Sequence, residues 1–327
     1  MNGPVVEGRG LASISLDLDG LRHYARIHGL PADTVPDAVE AVVLERAVPR
    51  FLELLARVGA RGTLFVIGSE VTAAGRAGLL RALGEGHELA SHSHGHDYAL
   101  SRQSPQAIDA DLAAAEAVLA SLGVSAPWGF RAPGYTLSAP LLQALIARGY
   151  AYDASIFPAA PYWAAKAAVM GWMRLGGRRS TAILDTPRVL LAPRMPYRPD
   201  PARPERPGNA PLVELPMSVT PRVRLPFIGT FVVRAPWPLV RGAYLTLRGG
   251  PFLSLELHAV DLLGPEDGLP AALSATQGDL QLPLQQKLDR LEQAVGWIAS
   301  DFRCTSLLEC SREVAASRWF PAGQRTE

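Results

Sequence analysis

His87, His92, His94 and His96, four of the chain's seven histidines, crowd into the stretch His-Glu-Leu-Ala-Ser-His-Ser-His-Gly-His-Asp that runs from His87 to Asp97. On a helical or turn-like path His92 and His96, four residues apart, project from one face, which is how two imidazoles reach a single metal ion. Neutral imidazole suits zinc and its first-row neighbours, and the natural complement is one carboxylate from elsewhere together with water. A position left to water makes such a site catalytic. A histidine-rich run also occurs in solvated loops, so the partners supplied by other elements decide between the two.

The elements that must position these residues alternate in type. Leu11-Ala-Ser-Ile-Ser-Leu-Asp-Leu-Asp-Gly20 reads as a buried strand that ends at Asp17 and Asp19, and strand C-termini are where α/β folds place their chemistry. Two residues apart, both carboxylates point to one side, and like charges so close split their pKa values unless a cation lies beside them. Helical spacing over Ala38–Val58, a strand over Arg61–Gly68 and a helix over Ala73–Leu83 follow, with the histidine stretch where a third strand should end. Further along come a helix over Asp109–Leu122, a strand closed by Phe130 and Arg131, a Pro133-Gly134 turn and a helix over Ala139–Arg148. Two short apolar strands, Leu212–Met217 and Phe252–His258, precede an amphipathic helix over Gln285–Ile298 and a strand around Phe302–Leu307. Strand and helix in alternation predict a parallel sheet with crossover helices.

Composition narrows the class. With 327 residues, 48% hydrophobic residues and a net charge of +1, the chain reads as one ordinary globular enzyme domain, and a nucleic-acid reader would need a basic face. Met1–Gly10 lacks the basic-then-apolar order of a secretory signal and no apolar run reaches membrane-spanning length, which gives a cytoplasmic expectation. Cys304 and Cys310 are too few for a disulfide framework and read as buried apolar residues. His23 and His28 read as surface or substrate-facing residues rather than ligands. No protein partner follows from the sequence.

The Asp17-Leu-Asp-Gly20 strand end, His92-Ser-His-Gly-His96, Phe130-Arg-Ala-Pro133 and Leu257-His258, in that order, resemble the motifs of the polysaccharide deacetylases, carbohydrate esterase family four. The resemblance covers roughly residues 11 to 310, and the Asp-x-Asp form with His258-Ala-Val-Asp261 is most similar to the branch that deformylates an aminoarabinose-bearing lipid carrier. The fold it leads us to expect is α/β, a distorted (β/α) barrel of about seven parallel strands with a metal site at the C-terminal strand ends. The resemblance implies that Asp19, His92 and His96 hold a divalent metal, with zinc the default and cobalt, manganese or nickel acceptable to the same ligands. It further implies Asp17 as general base, Arg131 as its partner and His258 as the acid that protonates the departing amine. In the family's commoner motif the aspartates are adjacent, whereas Leu18 separates them here, so the roles of Asp17 and Asp19 stand open to exchange. A backbone N–H at Gly134 or Tyr135 is the candidate donor to the oxyanion.

The expected reaction is hydrolysis of an N-acyl group, acetyl or formyl, from an amino sugar. A small non-sugar amide and a carbohydrate-binding relative without catalysis are the alternatives. Many family members tune the acid histidine with an aspartate on the strand after the arginine; here that strand reads Tyr152-Asp-Ala-Ser155, leaving Asp153 or Glu214 as candidates. Residues 159 to 210 form an expected lid or insertion within a single domain, with a Pro- and Arg-rich loop over Pro193–Pro207. Tyr162, Trp163, Met170, Trp172 and Met173 surround Lys166 on an apolar helix followed by Arg174, Arg178 and Arg179. Aromatic and basic residues so combined suit a lid, or a helix on a membrane surface, in which case the substrate is lipid-linked.

Overall fold

The computed structural model describes residues 9–175, 177 and 180–316. Arg178 and Arg179 therefore lie outside the described residues. The alternation of apolar and small residues after Gly10 forms strand β1 (Leu11–Asp17), buried along its whole length. It is followed by β2 (Thr63–Val66), β3 (Glu88–Ser91), β4 (Gly129–Phe130) and β5 (Tyr152–Asp153). Later come a hairpin of β6 (Pro199–Asp200) and β7 (Arg203–Pro207), then β8 (Val213–Glu214), β9 (Phe252–His258) and β10 (Arg303–Cys304).

Seven strands pair in parallel in the order β9-β1-β2-β3-β4-β5-β8. The short β10 adds to Leu11 and Ala12, the part of β1 that β2, paired from Ser15 onward, leaves free. The sheet curls so that its edges meet at Ser218. That residue donates its N–H to the Ser254 carbonyl (3.2 Å) and accepts the Ser254 N–H on its hydroxyl (2.8 Å). The expected seven-stranded α/β barrel is the observed one, with β10 an eighth strand.

Helices occupy the crossovers where the apolar period changes from two to nearly four. Three begin on a side-chain oxygen that satisfies an otherwise unpaired N–H: Thr72 accepts from Gly75, Ser104 from Ala107 and Ser138 from Leu141. The continuous helix expected over 38–58 is broken instead. Asp37–Glu40, a wide turn at Val43–Ala47 and the helix Val48–Ala56 follow one another, because Pro49 has no N–H to continue the ladder. The expected loop at 193–207 contains the β6-β7 hairpin. Cys310 is buried as expected, but Cys304 is only half-buried.

The largest core packs helices against the outer face of β1, β2 and β9. Inside the barrel the walls turn polar: Ser13, Ser15, Asp17, Arg131, Asp153, Glu214 and Glu256 are all fully buried. Charge at this depth is tolerated only when paired or bound. Those pairings define the site. Among the described residues no helix is long and apolar enough to cross a membrane.

Candidate active site

β3 delivers the histidines. His92 extends the ladder, its N–H bonding the Val66 carbonyl at 2.9 Å. Ser93 then takes a left-handed backbone (φ 67°) and accepts the His96 N–H on its hydroxyl at 3.0 Å. The chain folds back, and His96 Nε2 comes to 3.2 Å from His92 Nε2. Asp111, on the helix Pro105–Ser121, clamps the outside of this turn by accepting the His94 and Gly95 N–H groups at 2.9 Å each. His87 stays apart, its Nδ1 accepting the Gly62 N–H.

Asp19 lies just past the end of β1, and its Oδ1 is 3.1 Å from His92 Nε2 and 3.2 Å from His96 Nε2. The Arg131 carbonyl, 2.8 Å from His92 Nδ1, can only accept, so it takes the imidazole proton on that nitrogen. In the neutral ring a lone pair on Nε2 therefore faces Asp19 and His96. Three lone-pair donors converging in a buried place repel one another unless a cation lies among them. Their spacing is close to the ligand-to-ligand edge of a tetrahedral site, roughly 3.4 Å for bonds of about 2.1 Å. Donor type and spacing both fit a divalent metal. Burial keeps the His96 imidazole neutral, its pKa lowered to about 4 despite Asp19 beside it. Burial also opposes the Asp19 charge, yet the two histidines hold that carboxyl well below the usual range.

Asp17 is opposite His258 in the β1-β9 register. Arg131, fully buried, donates to Asp17 Oδ1 at 2.5 Å and to the Ser15 hydroxyl at 3.0 Å, while its Nε holds the Ala154 carbonyl. Phe65 backs the guanidinium at 4.1 Å. Asp17 Oδ2 has no hydrogen-bond partner among the described residues and lies 3.8 Å from His92 Nε2. Burial raises the Asp17 pKa against the opposing pull of Arg131. The two aspartates are thus split in the sense expected for neighbouring carboxylates in unlike surroundings.

The group that orients His258 is neither Asp153 nor Glu214, and here the sequence expectation is corrected. Asp153 and Glu214 are neighbours in the β5-β8 register, with burial and the Asp153 charge pushing the Glu214 carboxyl well up. The Ser155 hydroxyl donates to Asp153 Oδ1 and the Ile156 N–H to Glu214 Oε1. His258 instead meets Glu256, two residues earlier on β9, with Nδ1 2.8 Å from Oε1. Tyr135 completes a ring of bonds: its hydroxyl donates to Glu256 Oε1 (2.9 Å) and accepts from His258 Nε2 (2.9 Å). Both imidazole nitrogens donate in this network. Burial disfavours the charged ring, but Glu256 outweighs it and holds the His258 pKa well above its ordinary value. A signal was present in the sequence. On a strand, a carboxylate two positions before a histidine shares its face.

Tyr135 contributes its hydroxyl, while its own N–H is spent on the Ala132 carbonyl at 3.0 Å. Its backbone is left-handed (φ 63°), uncommon for a bulky residue and a sign that the turn is held for a purpose. His23 is buried rather than surface or substrate-facing. It is 2.5 Å from Glu70 and packs on the His96 ring with centroids 4.2 Å apart, behind the ligand cluster. His28 does line the cavity.

That cavity, about 540 Å³, opens over Asp17, Asp19, His92 and His258. Its roof is the helix Ala160–Leu175, which turns Tyr162, Lys166, Val169, Met170 and Met173 toward it at helical spacing. Asp17, Asp19, His92, Tyr135 and His258 share this one cavity, with Arg131 bonded behind Asp17 and His96 behind Asp19.

Residues 33–152 match the family model described as polysaccharide deacetylase. Solved structures resemble the whole chain. A Mycobacterium smegmatis protein assigned as a polysaccharide deacetylase has 17% identity over 99% of this chain and 96% of its own, with a TM-score of 0.61. One from Pseudomonas aeruginosa PAO1 with a similar assignment has 14% identity over 96% and 93%, with a TM-score of 0.57. Puue allantoinase reaches 14% over 98% and 96%, with a TM-score of 0.58. At such identities the likeness establishes the fold. No curated protein matches the chain.

Proposed function

We propose that the chain is a metal-dependent hydrolase that removes an N-acyl group from an amino sugar. The observation that carries this reading is the pairing of a three-donor cluster, Asp19, His92 and His96, with a buried base and a partly exposed acid on adjacent strands of one cavity. The deacetylase family match over residues 33–152 supports the same chemistry.

A divalent metal held by Asp19, His92 and His96 would supply Lewis acidity toward the acyl oxygen and make water easier to deprotonate. Asp17 Oδ2, without a hydrogen-bond partner among the described residues, receives the proton of the attacking water, while Arg131 fixes Oδ1 and so aims the other oxygen. His258, kept protonated by Glu256, gives its Nε2 proton to the departing amine. Proton donation matters more for an amide than for an ester, because an amine leaves poorly as its anion. The Tyr135 hydroxyl must release Nε2 for this step.

The Glu256 contact sets the alkaline limit of activity. With Glu256 in place the His258 pKa is raised, so the acid form survives to higher pH and is lost as pH rises through that raised value. Glu256→Gln removes the charge, and the alkaline limb of kcat should move down by about one unit or more. A pH profile with an unmoved alkaline limb would remove Glu256 from this role.

The carrier follows from the roof helix. The apolar roof favours a substrate with hydrocarbon near the sugar, and the roof helix exposes Trp172 and Leu175 to solvent away from the cavity lining. This supports a lipid-linked amino sugar reached from a membrane surface. The test is amine release from N-acetyl and N-formyl amino sugars, each free and linked to polyprenyl phosphate in phosphatidylglycerol vesicles. Release from any of the four supports the hydrolase, and faster turnover of the linked pair supports the carrier. No release from any of them by metal-replete protein overturns the function.

A further inference from the structure

The roof helix places one lysine where the chemistry described so far has no use for it. Lys166 points into the cavity between Tyr162 and Met170, amid Ala165, Val169 and Met173. Among the described residues its hydrogen-bond partner is the Gly134 carbonyl at a long 3.4 Å, the Tyr162 ring centroid lies 5.9 Å from its amine, and it forms no ion pair with a carboxylate. The other cationic side chains around the cavity are satisfied. Arg234 pairs with Asp279 at 3.0 Å, Arg131 with Asp17 and His258 with Glu256.

A half-desolvated ammonium facing an apolar cavity is strongly attractive to an anion, since little water screens it. Burial lowers the Lys166 pKa to about 8, opposed by the nearby Asp185 charge, so the amine is largely protonated at neutral pH. A charge-assisted contact here would be made at one side of the cavity, on the helix that covers it, while the Asp19 cluster lies at the strand ends. Such an arrangement reads a substituent of the substrate, remote from the bond that breaks.

We propose that Lys166 is a specificity-determining residue that receives a phosphate or carboxylate carried by the amide substrate. The proposal rests on the cavity being the amide-substrate site, but its test needs no turnover. Calorimetric binding is measured for two matched sets of probes. N-acetylglucosamine is compared with its 1-phosphate and with N-acetylmuramic acid, and octyl glucoside with octyl phosphate. Wild-type protein should bind at least one anionic probe tighter than its neutral partner by on the order of tenfold to a hundredfold. Lys166→Met and Lys166→Gln should abolish that preference without weakening the neutral probe, and Lys166→Arg should keep it.

The preferred set then distinguishes a soluble sugar anion from a lipid-like one, and the acid bound within the sugar set distinguishes phosphate from carboxylate. Binding of none of the anions, equal binding of neutral and anionic probes, or a preference that survives in both Lys166→Met and Lys166→Gln would overturn the proposal. The last outcome would place the anion on another cationic group of the cavity, such as Arg234 or His258. Failure of the hydrolase reading would show separately, as absent amine release by a protein that still discriminates among these probes.

Discussion

His92→Ala is expected to strip the protein of its metal and to lower amine release by at least about a thousandfold, the scale of the Lewis-acid contribution it removes. The expectation rests on three atoms. Asp19 Oδ1, His92 Nε2 and His96 Nε2 lie 3.1 to 3.2 Å from one another, and His92 has its proton committed to the Arg131 carbonyl. Removing it leaves two donors, too few for a stable catalytic ion. Metal analysis should fall from about one ion per chain to nearly none. The fold should survive, because β3 is held by its ladder and the histidine turn by Ser93 and Asp111. A His92→Ala protein that retains both metal and turnover would place the reaction elsewhere.

Asp17→Asn is expected to keep the metal and to lose on the order of 10² to 10⁴ in kcat, the usual contribution of a general base. Asparagine preserves the shape and can turn its carbonyl oxygen to Arg131, where Asp17 Oδ1 now sits. What it cannot do is take a proton on the atom that replaces Oδ2. Asp19→Asn supplies the contrast, since it weakens a metal donor and should lower metal content as well as turnover. If the pattern is inverted, with metal lost from Asp17→Asn and kept in Asp19→Asn, then the two aspartates have exchanged roles. The separation of the pair by Leu18 makes that comparison worth doing, and the geometry favours Asp19 as ligand because Asp17 is already held by a guanidinium.

Much of the site could be read in the chain because its residues sit at element ends. Asp17 and Asp19 close an alternating apolar run, His92 and His96 are four apart, and His258 ends the last long strand. Local pattern suffices for such residues, since a strand that is apolar to its last positions must be buried and its end must face the site. Glu256 was just as close at hand, one turn of the strand period from His258. Leu255 and Leu257 on either side give this stretch the pattern of a buried strand, which masks Glu256, and the resemblance points instead to the strand after Arg131. Asp153 and Glu214 are register partners on β5 and β8, and that neighbourhood is what commits them to each other.

By itself the sequence determined the α/β alternation, the starts of the helices after Thr72 and Ser138, and the residue types able to hold a metal and move a proton. These are properties of a few consecutive residues, carried by apolar period, capping chemistry and ionisable groups. Only the tertiary structure decided that His23 is buried behind His96, that Glu256 and Tyr135 bind both nitrogens of His258, and that Lys166 is aimed into the cavity. Those facts depend on which strands become neighbours and how far the sheet curls. Pairing and curl are set by the packing of the whole chain, so residues far apart in sequence come together without any local signal that they will.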